Sequence, residues 1–239
     1  MKKILLLIIL LIPLNVNAFD TNAKAAILMD MDSKRILYAK DIHYTQSVAS
    51  ISKIMTAILA IEKKDVDDVI LIGDEILTAY GSGIYVKQDE KMKLEDLLYG
   101  LMLRSGNDAA IVIANYAGGT VENFVKDMNK KAKEIAMKNT VFNNPSGLDE
   151  KEYKGNFSSS YDMALLMSYA MKNEKFRKIV GTKNHSVKTN VNYYKWKNKN
   201  KLLFTYKYTT GGKTGFTKKA KRTLVTTASK NNLNLVTVQ

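Results

Sequence analysis

Segments patterned as β-strands lie at the two ends of this 239-residue chain, with helical spacing between them. Residues 25–31 and 35–39 are short apolar runs, and Asp32-Ser33-Lys34 between them reads as a hairpin loop. Residues 224–228 and 233–238 are similar runs, joined by a turn at Asn231-Asn232. Strands need partners for their backbone N–H and C=O groups. The ends of the chain are therefore expected to meet in one sheet, with the middle inserted as a second lobe. The expected class is α/β in the α+β sense: an antiparallel sheet built from both termini, carrying an inserted helical lobe over roughly residues 64–180.

The helical part divides by its apolar spacing. Ile51, Ile54, Met55, Ile58 and Ile61 predict a helix that starts near Ser50 and holds that serine in its first turn. Leu94, Leu97, Leu98, Leu101 and Met102 form another stripe, which Ser105-Gly106-Asn107 interrupts before residues 108–116 resume it. Phe124, Met128, Ala132 and Ile135 predict a third helix. Asn144-Pro145-Ser146-Gly147 reads as a turn. Ser159-Ser160-Tyr161-Asp162 resembles a capping box ahead of residues 163–171, and a shorter helix over 174–180 stops at Gly181. Polar and aromatic extended segments follow.

Residues 1–18 read as an export leader. Lys2-Lys3 precede an apolar run over residues 4–14, and Val16-Asn17-Ala18 ends in small residues suited to cleavage after Ala18. The run is well short of the ~20 residues that span a bilayer. Residues 19–239 are then one catalytic domain. The chain has no cysteine, so its stability rests on packing. His43 and His185 read as ordinary surface residues, and no metal site is expected. The net charge of +14 gives Lys218-Lys219-Ala220-Lys221-Arg222 and the lysines at 195, 197, 199 and 201 the look of nucleic-acid patches. Export argues against nucleic acid and leaves two readings, an anionic cell envelope as partner or a lysine-rich surface that is simply solvated.

Three short motifs carry chemistry. Ser50 and Lys53 are three apart, which on a helix brings both side chains to one face. A serine hydroxyl needs an adjacent base, and a lysine can serve if burial or a neighbouring cation keeps its amine neutral. Lys213, in Lys213-Thr214-Gly215, can supply that cation. The hydroxyl of Ser105 can pass a proton, and the Asn107 amide can both donate and accept hydrogen bonds. Gly215 permits close approach of a ligand to the backbone.

In this order the three motifs resemble those of the penicillin-binding D-alanyl-D-alanine carboxypeptidases, serine enzymes with a β-lactamase/transpeptidase-like fold. Residues 25–30, 49–56, 103–110, 144–148 and 212–217 are similar to that family's signature stretches, and the resemblance covers about residues 20–239. It implies that Ser50 attacks the carbonyl between the two terminal D-alanines of a peptidoglycan stem peptide. Lys53 would take the proton, and Ser105 would relay one to the leaving amine. Asn107 would orient Lys53 and the substrate amide, Lys213 would tune the field, and Thr214 would bind the terminal carboxylate. Backbone N–H groups of Ser50 and Phe216 would form the oxyanion hole. No cofactor is implied, β-lactams would act as inhibitors, and the enzyme would work at the extracytoplasmic face of the membrane or in the wall.

The chain departs from the family pattern in having Ser146 where a histidine is usual. It also stops at Gln239, before a glycine–arginine stretch and a covering helix, so a C-terminal truncation is expected. Two other readings compete. A class A β-lactamase would carry Ser-Asp-Asn and an E-x-x-L-N stretch, and neither occurs here. A non-catalytic penicillin- or envelope-binding protein would not need Ser50, Lys53 and Lys213 together.

Overall fold

The computed structural model describes residues 21–149 and 154–239, so the expected leader lies outside the described residues. Strands β1 (Ala26–Asp30), β2 (Ile36–Lys40), β3 (Thr209–Thr217), β4 (Lys221–Lys230) and β5 (Leu233–Val238) form one sheet in the order β2-β1-β5-β4-β3. Each neighbouring pair is antiparallel. The first strand thus lies against the last, as the sequence pattern predicts. Three two-stranded ribbons decorate this core: Gln46–Ser47 with Phe157–Ser158, Val69–Leu71 with Lys91–Lys93, and Asn184–Lys188 with Tyr193–Lys197.

Register explains how a charged residue enters the interior. Side chains alternate faces along a strand, so partners directly across a ladder share a face. Ile27 pairs Val238, Val238 pairs Val225, and Val225 pairs Lys213. The three apolar members of this row are at most 2% exposed, and Lys213 at its end is 1% exposed. One row over, Met29 and Val236 pair and are fully buried. Burying each such aliphatic side chain contributes about 1.5–3 kcal/mol. The apolar row fixes which way β4 faces, and β3 must follow it. Lys213 is therefore driven under the helices rather than out to solvent.

The helical part holds α1 (Lys53–Lys63), α2 (Leu94–Tyr99), α3 (Asn107–Gly118), α4 (Val121–Glu134), α5 (Ser160–Ala170), α6 (Glu174–Gly181) and α7 (Leu202–Thr205). Residues 53–60 of α1 are buried without interruption. A helix apolar all round belongs at the centre of a lobe, and α1 packs against α3, α4, α5 and α6. Helix α5 lies on β1, β4 and β5, and α6 lies on β3.

Four local expectations change. Ser50 sits in a 3-10 turn, Ala49–Ser52, and the α-helix proper starts at Lys53. The stripe ending at Met102 is not one helix: α2 stops at Tyr99, and a π-helical turn spans Gly100–Arg104. The wider turn lets the chain swing Ser105 out in a left-handed conformation at φ 68°. The capping box is half formed. Ser159 accepts from the Asp162 N–H at 3.2 Å, but the Asp162 carboxylate accepts from Asn139 N and Thr140 Oγ1 instead of reaching back. His185 is no plain surface residue, since its Nε2 lies 2.7 Å from Asp96 Oδ1 and its ring stacks on Tyr99 at 3.8 Å.

Candidate active site

The 3-10 turn places Ser50 and Lys53 on one side of the entry to α1. Lys53 is fully buried, and its Nζ lies 3.1 Å from Ser50 Oγ, 2.7 Å from Asn107 Oδ1 and 2.6 Å from the Ser146 carbonyl. On the other side, Lys213 Nζ donates to Ser105 Oγ at 3.0 Å and to the Thr214 carbonyl at 2.6 Å. Ser50 from the 3-10 turn, Lys53 from α1, Ser105 from the bend after the π-helical turn, Asn107 from α3 and Lys213 from β3 thus converge. Among the described residues, no carboxylate forms an ion pair with Lys53.

Such a lysine cannot hold its proton easily. Burial pushes Lys53 well below its ordinary value, and the charges of Lys213 and Lys199 push the same way, against a smaller pull upward from Asp108. Burial likewise brings Lys213 down to about 7, with Lys199 adding to the fall. A neutral amine has two N–H bonds and one lone pair. The two carbonyl-type acceptors at 2.6 and 2.7 Å take the N–H bonds, which leaves the lone pair for the Ser50 hydroxyl. That is the arrangement of a base poised on a nucleophile.

The Ser146 carbonyl is a partner that residue types did not reveal. It is presented by a turn built around Asn144, whose Oδ1 accepts from Ser146 N, Ser146 Oγ and Gly147 N. Thr56 of α1 donates to the Pro145 carbonyl at 2.6 Å and clamps the turn on the helix. Gly147 has φ +78°, and a Cβ there would lie 1.9 Å from the Ala49 carbonyl oxygen. Only glycine lets this turn press against the backbone next to Ser50. Lys199 is a second feature missed, because nothing in its local sequence marks its charge as reaching the two buried lysines.

Strand β3 runs beside the serine. A Cβ on Gly215 would lie 3.0 Å from Ser50 N and 2.4 Å from Thr223 Oγ1, so the strand touches the nucleophile's backbone amide. Thr223 in turn donates to the Val48 carbonyl at 3.1 Å and ties the sheet to the turn. Phe216 lines a cavity of about 160 Å³ together with Ser50, Asn107, Tyr80, Gly81 and Leu148. Thr214 does not line it. It lies at one end of a larger groove of about 1200 Å³ that Phe216 also borders. The far wall of the smaller cavity hangs on Asn107, which donates from Nδ2 to the Tyr80 carbonyl and from its backbone N to the Ser82 carbonyl.

Comparison with known proteins shows the family and the fold. The family model "Peptidase_S11: D-alanyl-D-alanine carboxypeptidase" matches residues 13–239. The chain is 37% identical over 222 residues to the D-alanyl-D-alanine carboxypeptidase DacF of Bacillus subtilis, covering 90% of this chain and 56% of that protein. It is 31% identical over 244 residues to DacC of Escherichia coli, covering 93% and 57%. The chain thus spans a little over half the length of these relatives. Among solved structures, a D-alanyl-D-alanine carboxypeptidase from Mycobacterium tuberculosis superposes with a TM-score of 0.89 at 29% identity, over 95% of this chain and 85% of that one. A Streptomyces K15 DD-transpeptidase superposes with a TM-score of 0.86 at 30% identity, over 92% and 91%. The fold is β-lactamase/transpeptidase-like.

Proposed function

The chain belongs to the D-alanyl-D-alanine carboxypeptidase family, and from that membership we propose that it removes the terminal D-alanine of peptidoglycan stem peptides through an acyl-enzyme on Ser50. The observation that carries this reading is the Lys53 amine, buried and placed between Ser50 Oγ and two acceptors.

Ser50 Oγ attacks the carbonyl carbon of the penultimate D-alanine while its proton moves to Lys53 Nζ. The oxygen that becomes negative is met by the backbone N–H groups of Ser50 and Phe216, at the start of a helix where the potential is positive. Collapse breaks the peptide bond. Ser105, which accepts from Lys213 and so has its own hydrogen free, gives that hydrogen to the leaving amine and is refilled by the proton that Lys53 took from Ser50, so Lys53 is neutral again. Asn107 keeps Lys53 aimed at Ser50, and its amide edge faces the cavity where the stem peptide lies. Lys213 and Thr214 receive the terminal carboxylate. Water then attacks the ester carbonyl as Lys53 takes a proton from it, and Lys53 returns that proton to Ser50 Oγ as the ester bond breaks. A β-lactam enters the same path and stays on Ser50, because its leaving group remains tethered. The work is done outside the cytoplasm, on the wall.

The test is release of D-alanine from a short acylated peptide ending in D-Ala-D-Ala. Stoichiometric D-alanine and loss of activity on penicillin treatment are the expected results. Rapid hydrolysis of penicillin without D-alanine release would instead mark a β-lactamase, and neither reaction would leave a binding protein.

A further inference from the structure

Charge is divided along this chain in an unusual way. From Lys175 to the end there are 16 lysines and arginines and no aspartate or glutamate. Residues 1–174 hold the remaining 21 basic residues and all 23 acids. The whole net charge of +14 therefore comes from the last quarter of the chain. Asymmetry of this kind points to an anionic partner.

The fold gathers these cations on one strip. In the 184–197 ribbon, Trp196 and Tyr194 turn inward while Lys188, Tyr193, Lys195 and Lys197 are exposed. Lys183 and Lys197 both lie over the Phe204 ring of α7, at 5.8 and 4.8 Å. Two residues on, the Tyr206 ring meets Tyr208 at 5.4 Å. Lys207 and Lys230 lie over that Tyr208 ring at 4.9 and 5.1 Å. The ribbon, α7 and the β4–β5 turn are thus joined into a row of ammonium groups carried on aromatic rings. Among the described residues, no carboxylate lies within ion-pair distance of Lys183, Lys188, Lys195, Lys197, Lys207 or Lys230. Those lysines are unneutralised and face solvent.

Two details decide the kind of partner. The rings of Phe204 and Tyr208 are capped by cations, which suits a charged chain lying along the surface better than insertion into lipid. The strip also comes near the site at one end, through Lys199. Lys199, two residues after Lys197, bonds through its N–H to the Leu103 carbonyl just before Ser105, and its charge is felt by both Lys53 and Lys213. A long anion lying on the strip would be held close to the site at that end.

We propose that the lysine–aromatic strip formed by the 184–197 ribbon, α7 and the β4–β5 turn docks the wall polymer itself, a glycan bearing carboxylate-rich stem peptides. The proposal rests on the carboxypeptidase reading for the identity of the polymer. Docking raises the local concentration of stem peptides at Ser50 without touching the reacting atoms. It is electrostatic and solvent-exposed, so salt should weaken it.

The experiment compares wild-type protein with K183Q/K197Q/K207Q/K230Q and with the matching all-arginine variant, sedimented with purified peptidoglycan freed of attached phosphate polymers. Wild type and the arginine variant should bind, with binding falling as salt is raised. The glutamine variant should bind roughly tenfold or more weakly, since each lysine at an anionic surface is worth on the order of fivefold. All three should acylate equally with penicillin and release D-alanine equally from a short peptide. Equal sedimentation of the glutamine variant would overturn the proposal. So would salt-insensitive binding, or wild type binding anionic phospholipid vesicles but not the stripped wall. If binding behaves as expected but no protein releases D-alanine, the carboxypeptidase reading fails and the docking strip stands.

Discussion

At the scale of single residues, the account depends on two buried lysines that hold their protons loosely, Lys53 above all. Lys53 must be neutral to serve as a base, and burial with the nearby charges of Lys213 and Lys199 drives it there. The acid limb of acylation should therefore lie well below the ordinary lysine value of about 10.4. Lys53→Arg fills similar space but stays protonated, so its acylation rate should fall on the order of 10²- to 10⁴-fold. Acylation by K53R at the wild-type rate would mean another base. Lys213 carries a stability signature as well. It stands at about 7 in the folded protein against 10.5 when unfolded. Below about 7 both states hold the proton, and the cost of the buried ammonium is felt in full. Between about 7 and 10.5 the unfolded chain binds the extra proton, so stability rises with pH across that window. Lys213→Gln lacks this rise. Its unfolding free energy relative to wild type should be higher near pH 6 than near pH 9, by an amount on the order of a few kcal/mol; a pH-independent difference would contradict the burial argument. Ser50, Lys53, Ser105, Asn107 and Lys213 were legible because each is a distinctive chemical type in a distinctive spacing. The Ser146 carbonyl was not, because every residue has a carbonyl and only the Asn144 turn aims this one.

At the scale of elements, the site is an agreement between a strand and a helix entry. Gly215 is where they touch. Gly215→Ala must part β3 from the Ser50 turn by several tenths of an ångström or more, since its Cβ would meet Thr223 Oγ1 at 2.4 Å. A displacement approaching 1 Å at a reacting centre costs about a hundredfold. Acylation of G215A should fall by roughly that factor while the far-ultraviolet circular dichroism stays unchanged; normal acylation would show that the contact is not limiting. Strand β3 itself was hard to read, because Gly211, Gly212 and Gly215 disfavour strands in isolation. Its pairing with β4 from Thr209 to Thr217 overrides that preference. The stripe through Leu101 and Met102 was read as one helix because apolar spacing survives a π-helical turn. What changes there is hydrogen bonding, which leaves no mark on the pattern.

At the scale of the whole molecule, the architecture was legible because strands at the ends and helices between them leave few ways to pair backbone groups. β1 against β5 is the outcome. The charge asymmetry was equally open to reading, but its gathering into a strip was not, since Phe204 and Tyr208 collect lysines far apart in sequence. The same core that pairs the ends carries Ile27, Val238 and Val225 up to Lys213, so fold and site share one row of side chains. The central claim, a serine nucleophile served by a buried neutral lysine, is tested most directly by mass spectrometry of penicillin-treated protein. The account predicts one adduct, mapped to the peptide containing Ser50, absent in Ser50→Ala and slow to form in Lys53→Arg. An adduct on any other residue, or an adduct that forms in Ser50→Ala, would contradict it.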